Sequence, residues 1–75
     1  MMPTKLTTEL AKLPIQKGLS IVKDMEEIIS VVSVASHLTG TRKPTVRNMK
    51  NWVNAFNKHT ISEPRVYTVD DLFIV

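Results

Sequence analysis

The sequence predicts a mostly α-helical domain of three helices followed by a short C-terminal β element. Two observations support the helices. Apolar residues recur at three- and four-residue spacing over most of the chain, which is the period of an amphipathic helix. The few prolines and glycines fall between these stretches rather than inside them. The β element is predicted because the spacing changes to alternation in Val66–Val69.

Length and composition limit what the chain can be. Its 75 residues suffice for one domain, and a chain of this size buries roughly 60% of its unfolded surface. Without cysteine there is neither a disulfide framework nor a thiolate zinc site. The net charge of +3 mildly favours anionic partners. No apolar run has the length of a membrane span or signal peptide, so we expect no membrane association and a cytoplasmic location.

The first helix is predicted over residues 6–13. Leu6, Leu10 and Leu13 share one face of it, and a threonine of the stretch Thr7–Leu13 can cap it. Pro14 is expected to end this helix, because proline cannot continue the hydrogen-bonding pattern.

The longest helix is predicted over residues 21–38, with Ser20 as its N-cap. Its second half is apolar nearly all round, so Ile28–Leu38 should be buried on several sides or shared with a second copy of the chain. The alternative for Ile28–Val34 is a strand, since valine and isoleucine favour strands. The stripe that favours the helix consists of Ile21, Met25, Ile28, Val32 and Ala35.

A third helix is predicted over residues 44–57. Gly40 can end the preceding helix in the left-handed conformation, and Pro44 suits a first helical position. Trp52 flanks the apolar face, so we expect it in the core rather than as a stacking platform for a base. The apolar face consists of Val46, Met49, Val53 and Phe56.

The tail, residues 60–75, contains turn-forming residues in Ser62–Arg65 and the alternating stretch that predicts a β ribbon. The alternative is a final helical turn over Asp70–Val75, begun by Thr68. In either case Leu72–Val75 is too apolar to remain in solvent, and it should pack on the domain or on another chain.

Basic residues are concentrated between Arg42 and Lys58, a stretch that contains no Asp or Glu. Arginine can pair with guanine and asparagine with adenine, while lysine and threonine suit phosphate. We therefore predict that helix 44–57 enters the major groove of double-stranded DNA. The predicted DNA-contacting residues are Thr41, Arg42, Lys43, Thr45, Arg47, Asn48, Lys50, Asn51, Asn54 and Lys58.

Asparagines recur at every third position of this helix. Each one costs roughly 0.6 kcal/mol of helix propensity relative to alanine. Such a local cost is expected at functional surfaces, although an ordinary solvated polar face would have the same composition. The four residues are Asn48, Asn51, Asn54 and Asn57.

The stretch between Ala35 and Trp52 reads Ala-x-x-Leu-Thr-Gly-Thr-x-x-Pro-Thr-Val-Arg-Asn-x-x-x-Trp. It resembles the helix-turn-helix of small transcription regulators and transposase-type DNA-binding domains. The resemblance implies that Ala35 is the small residue inside the first helix and Gly40 the turn glycine. The first contacts would be Thr45, Arg47 and Asn48.

The stretch Arg65–Leu72 is similar to the ribbon and helix start that follow the recognition helix in winged or excisionase-like members. The resemblance covers about half the chain and implies a phage or mobile-element type of regulator. The turn around Thr39–Lys43 departs from the pattern, because it is about one or two residues longer than usual.

No enzyme, cofactor or metal site is predicted. His37 and His59 are far apart in sequence, and His37 is expected to be a satisfied residue at a helix end. Asp70 and Asp71 suit a helix start, which explains them without a metal ion. Two glycines cannot form a glycine-rich phosphate loop. The serines Ser30, Ser33 and Ser36 are expected to form a packing seam.

The alternative function is a protein-interaction module that binds no nucleic acid. It would be a phage-type adaptor or inhibitor of a host protein, or an oligomerisation domain, and its basic face would meet an acidic protein surface. The apolar stretches Ile28–Leu38 and Leu72–Val75 favour this alternative. Either stretch is a candidate homodimer contact.

Overall fold

A computed structural model describes residues 4–60 and 66–73, and within these ranges the chain is mostly helical, as predicted. No helix in the described ranges has both the length and the apolar character needed to cross a membrane. The helices are α1 (Lys5–Ala11), α2 (Ile15–Ile28), α3 (Val31–Thr39), α4 (Val46–His59) and α5 (Val69–Phe73).

The core lies between α2, α4 and α5, and α1 closes it by packing on α3 and α5. Trp52 and Phe56 of α4 are fully buried, which confirms the expected core position of the tryptophan. Phe56 also meets Tyr67, with 5.0 Å between the ring centroids. The central helix is therefore α4, held by its apolar face.

The prediction of a single helix over residues 21–38 is wrong, and so is the alternative prediction of a strand over Ile28–Val34. The chain instead forms α2 and α3, separated at Ile29, which is extended (φ −129°, ψ 174°). Ser30 stabilises the break as the N-cap of α3, because its Oγ accepts a hydrogen bond from the Ser33 amide at 3.1 Å. The break lets α3 pack on both α1 and α2.

The serines of this region therefore have local roles in place of the expected packing seam. Ser30 is exposed and caps a helix, and the Ser36 hydroxyl donates to the Val32 carbonyl at 2.9 Å. Ser20, the predicted N-cap, lies inside α2 and donates to the Gln16 carbonyl. The helix begins earlier, at Ile15, with Pro14 as its N-cap.

The other boundaries are shifted by a few residues. The first helix is Lys5–Ala11 rather than 6–13, with Thr4 as its N-cap. Gly40 ends α3 with φ +80°, in the predicted left-handed conformation. Thr45 caps α4, with its hydroxyl 3.2 Å from the Asn48 amide, so the helix begins at Val46 rather than at residue 44.

The predicted C-terminal β element is not present in the part of the chain that the structure describes. Residues 66–68 have no regular structure, and the alternative helical turn is found as α5. The backbone amide and hydroxyl of Thr68 donate to Asp71 Oδ2 at 2.9 and 3.1 Å, which stabilises the helix start. Leu72 is buried in the core. The turn predicted at 62–65 and the last two residues lie outside the described ranges.

Candidate nucleic-acid interface

The turn after α3 places the first predicted contacts at the surface. Gly40 reverses the chain direction, and the Arg42 amide donates back to the Ser36 carbonyl at 3.3 Å. The hydroxyls of Thr39 and Thr41 are 2.8 Å apart and stabilise the same turn. The turn is therefore an ordered connection between α3 and α4, longer than a tight turn.

Four cations lie exposed on this turn and on the first half of α4. Among the described residues none of the four has an ion-pair partner. The first turn of α4 contains no acidic residue, so its free amides add to the positive potential. We call this set the basic surface; it consists of Arg42, Lys43, Arg47 and Lys50.

A buried hydrogen bond joins α3 to α4 beneath the basic surface. The indole N–H of Trp52 donates to Nδ1 of His37 at 3.1 Å, and the histidine is only 4% exposed. Burial lowers the pKa of His37, and the nearby charge of Arg42 acts in the same direction. The expectation of a satisfied histidine at the helix end is thus confirmed at Nδ1, and the ring is held neutral.

The second half of the predicted DNA-contacting side has a different environment. Asn51, Asn54 and Lys58 line an open groove of about 310 Å³ whose other wall includes Asp24 and Glu27 of α2. The stretch without acids in the sequence therefore borders acids in space. This half of the helix offers less attraction to a phosphate backbone than the first half.

Asp24 binds the end of α4 directly. Its Oδ2 lies 2.6 Å from Nε2 of His59 and 3.3 Å from Nζ of Lys58. The hydrogen bond from His59 lowers the pKa of Asp24, Lys58 also lowers it, and partial burial opposes them. Lys58 was predicted to contact DNA, and here it joins two helices.

Three of the four asparagines have structural partners. Asn57 pairs with the backbone of Tyr67, accepting from its amide at 2.7 Å and donating to its carbonyl at 3.1 Å. The Asn51 side chain donates to Asn48 Oδ1 at 3.3 Å. Part of the helix-propensity cost is therefore explained by a contact that holds the chain before α5, with no ligand involved.

Most of the predicted contacts are accessible. Asn48 and Asn51 are half-buried. The exposed ones are Thr41, Arg42, Lys43, Thr45, Arg47, Lys50, Asn54 and Lys58.

Lys5 is not among the contacts predicted from sequence, and α1 brings it to the side of the turn. Its Nζ donates to the Asp70 carbonyl at 2.9 Å, and it lines one cavity together with Arg42 and Lys43. No local spacing could indicate this neighbour, because the three residues meet only through the packing of α1 on α3 and α5.

The arrangement combines a concentrated positive surface with a helix N-terminus, which suits binding of a polyanion. Within the described ranges no three histidine, aspartate or glutamate side chains are grouped so that they could hold a metal ion. No family model, curated protein or solved structure matches this chain.

Proposed function

We propose that this protein binds double-stranded DNA through the basic surface and acts inside the cell as a small regulator of transcription or recombination. The observation that carries the proposal is the position of the four exposed cations. They lie together at the N-terminal end of an amphipathic helix, and none has an ion-pair partner among the described residues. That is the end by which a recognition helix contacts base edges.

In this docking the N-terminal half of α4 enters the major groove. Asn48 contacts base edges, while the four cations of the basic surface contact phosphates along the groove. The C-terminal half of the helix is directed away from the backbone, because Asp24 and its neighbours would repel phosphate. The proposal thus uses the first half of the contact side predicted from sequence.

Two double variants that remove the same charge test this docking. Arg47→Gln with Lys50→Gln changes the basic surface, whereas Lys23→Gln with Lys58→Gln removes two cations elsewhere. Each phosphate contact contributes about tenfold to affinity at low salt, so the first pair should weaken binding to a mixed-sequence duplex by about 10- to 100-fold. Fluorescence anisotropy at about 50 mM salt measures the duplex affinity of both double variants, and the second variant is the control for the loss of charge.

The control pair should change the affinity by less than about threefold, since it removes long-range attraction and a partly exposed Lys58–Asp24 pair at the far end of α4, away from the docked end. Equal losses in both double variants would mean that DNA senses only the net charge, and this docking would be wrong. The docking would also be wrong if the Arg47→Gln, Lys50→Gln variant bound the duplex as tightly as the original protein.

A second candidate function is self-association through an apolar surface. Ile28, Val31 and Val32 lie around the break between α2 and α3 and are 54%, 60% and 72% exposed. Clustered exposed aliphatic side chains mark interaction surfaces more often than chance. If this surface joins two copies, Val32→Glu should shift the mass measured by light scattering from dimer to monomer, while Val66→Glu should leave it unchanged.

A further inference from the structure

An open cavity of about 350 Å³ lies between α1, the turn after α3 and α5. Its floor is apolar, because Leu6 and Leu72 are each 1% exposed and Pro44 is buried. Phe73, which is half-buried, also lines it. The volume is that of a small-molecule pocket at the lower end of the usual range.

Three cations line the same cavity, and no Asp or Glu is among the lining residues. They are Lys5, Arg42 and Lys43, contributed by two separate parts of the chain. The hydrogen bond from Lys5 Nζ to the Asp70 carbonyl holds this ammonium in place and leaves two of its N–H groups for another acceptor. The cavity therefore combines an apolar floor with a positive edge.

His37 adds a neutral donor to the lining. Its Nδ1 accepts from Trp52, so the neutral ring carries its proton on Nε2. No acceptor for that N–H is found among the described residues. In those ranges, the fully buried side-chain atom that lacks a hydrogen-bond partner is Oε1 of Glu9. Nε2 of His37 also lacks a partner but is not fully buried, so a ligand can reach it. A histidine that is 96% buried and lines the cavity thus has an unused donor there.

We propose that this cavity binds a small organic anion with a carboxylate head and a compact apolar body. The head lies among Lys5, Arg42 and Lys43 and accepts the Nε2–H of His37. The body packs against Phe73, above the floor formed by Leu6 and Leu72. A cationic edge alone would bind any anion weakly, and an apolar floor alone would bind any hydrophobic compound. The combination selects molecules that carry both features.

Trp52 makes the site observable without a label. It is the only tryptophan in the sequence, and its indole N–H is bonded to the histidine ring that would meet the ligand. A ligand that accepts from Nε2 polarises the imidazole and changes this hydrogen bond. Binding should therefore appear both in tryptophan fluorescence and in the NMR signals of the His37 ring.

Three probes separate the contributions of head and body. Phenylacetate carries both, phenylacetamide lacks the charge, and acetate lacks the ring. For a ligand of this size we expect phenylacetate to saturate the site with a Kd on the order of 1 mM. The other two should bind at least about tenfold more weakly, and only phenylacetate should shift the His37 signals at those concentrations.

Matched single-charge variants identify the site. Lys5→Gln should weaken phenylacetate binding by about fivefold. Lys50→Gln, on the exposed side of α4 and outside the cavity lining, should change it by less than about twofold. Equal effects of the two variants, equal binding of the three probes, or unshifted His37 signals at saturation would each overturn the proposal.

Arg42 and Lys43 belong to both the cavity and the basic surface, but the proposal does not rest on DNA binding, because Lys5 and His37 lie outside the basic surface. A protein that binds phenylacetate but no duplex would keep this site and lose the proposed function. If the protein binds duplex but not phenylacetate, the proposed function stands and the anion site is ruled out.

Discussion

At the scale of single residues, Gly40 is the position where the backbone itself demands one amino acid. Its φ is +80°, and a Cβ added there would lie 2.9 Å from the Thr4 Cγ2 methyl. Thr4 cannot easily move away, because its hydroxyl caps α1 and donates to the Leu38 carbonyl at 3.2 Å. Gly40 therefore fixes both the turn before the basic surface and the contact of α1 with α3.

We predict that Gly40→Ala lowers the free energy of unfolding by about 1 to 2 kcal/mol from the left-handed backbone, with a further loss from the clash. Gly18→Ala is the matched substitution in a helix. Its Cβ would meet nothing closer than the Leu10 carbonyl oxygen at 3.9 Å, so it should raise stability by about 0.5 to 1 kcal/mol. Urea unfolding of both variants measures the two effects, and changes of the same sign would contradict this account.

At the scale of the helices, Asp24 connects α2 to the last turn of α4. Its hydrogen bond from His59 and its pair with Lys58 favour the ionised carboxylate in the folded protein, so its folded pKa is lower than its unfolded pKa. A group shifted in this direction stabilises the fold above the unfolded pKa, which is near 3.8. That contribution is lost as the pH falls through the folded pKa.

We predict that the free energy of unfolding falls less steeply with decreasing pH in Asp24→Asn than in the original protein, between about pH 5 and pH 2.5. Glu26→Gln, an exposed acid two residues along the same helix, is the control and should keep the original slope in this window. Unfolding free energies from urea titrations across the range give the comparison. Parallel curves for the original protein and Asp24→Asn would show that the contact does not stabilise the carboxylate.

The break between α2 and α3 shows why helix boundaries were harder to predict than helices. The apolar period continues across Ile29 and Ser30, so the pattern indicates one helix. Ser30 can act as an N-cap, but serines earlier in the chain, such as Ser20, have the same ability. Packing of α3 on α1 decides between them, and that contact is not visible in local sequence.

At the scale of the whole molecule, the helical class and the core position of Trp52 follow from periodicity and burial preference. The charges that surround the candidate site could not be predicted from these sequence features. The stretch 42–58 has no acid in sequence, yet Asp24 lies 3.3 Å from Lys58. In the same way, Lys5 becomes a neighbour of Arg42. Charge runs report composition along the chain, whereas the local potential depends on helices that are distant in sequence.

The central claim is that four cations of the basic surface contact the phosphates of DNA, and the salt dependence of binding tests it most directly. Each neutralised phosphate contributes roughly −0.9 to the slope of log K against log salt concentration, so four predict a slope of about −3.6. Fluorescence anisotropy with a mixed-sequence duplex between 50 and 200 mM salt, a range of about fourfold, gives this slope. A value near the prediction supports the account, whereas a slope near zero, or no binding at the lowest salt concentration, would contradict it.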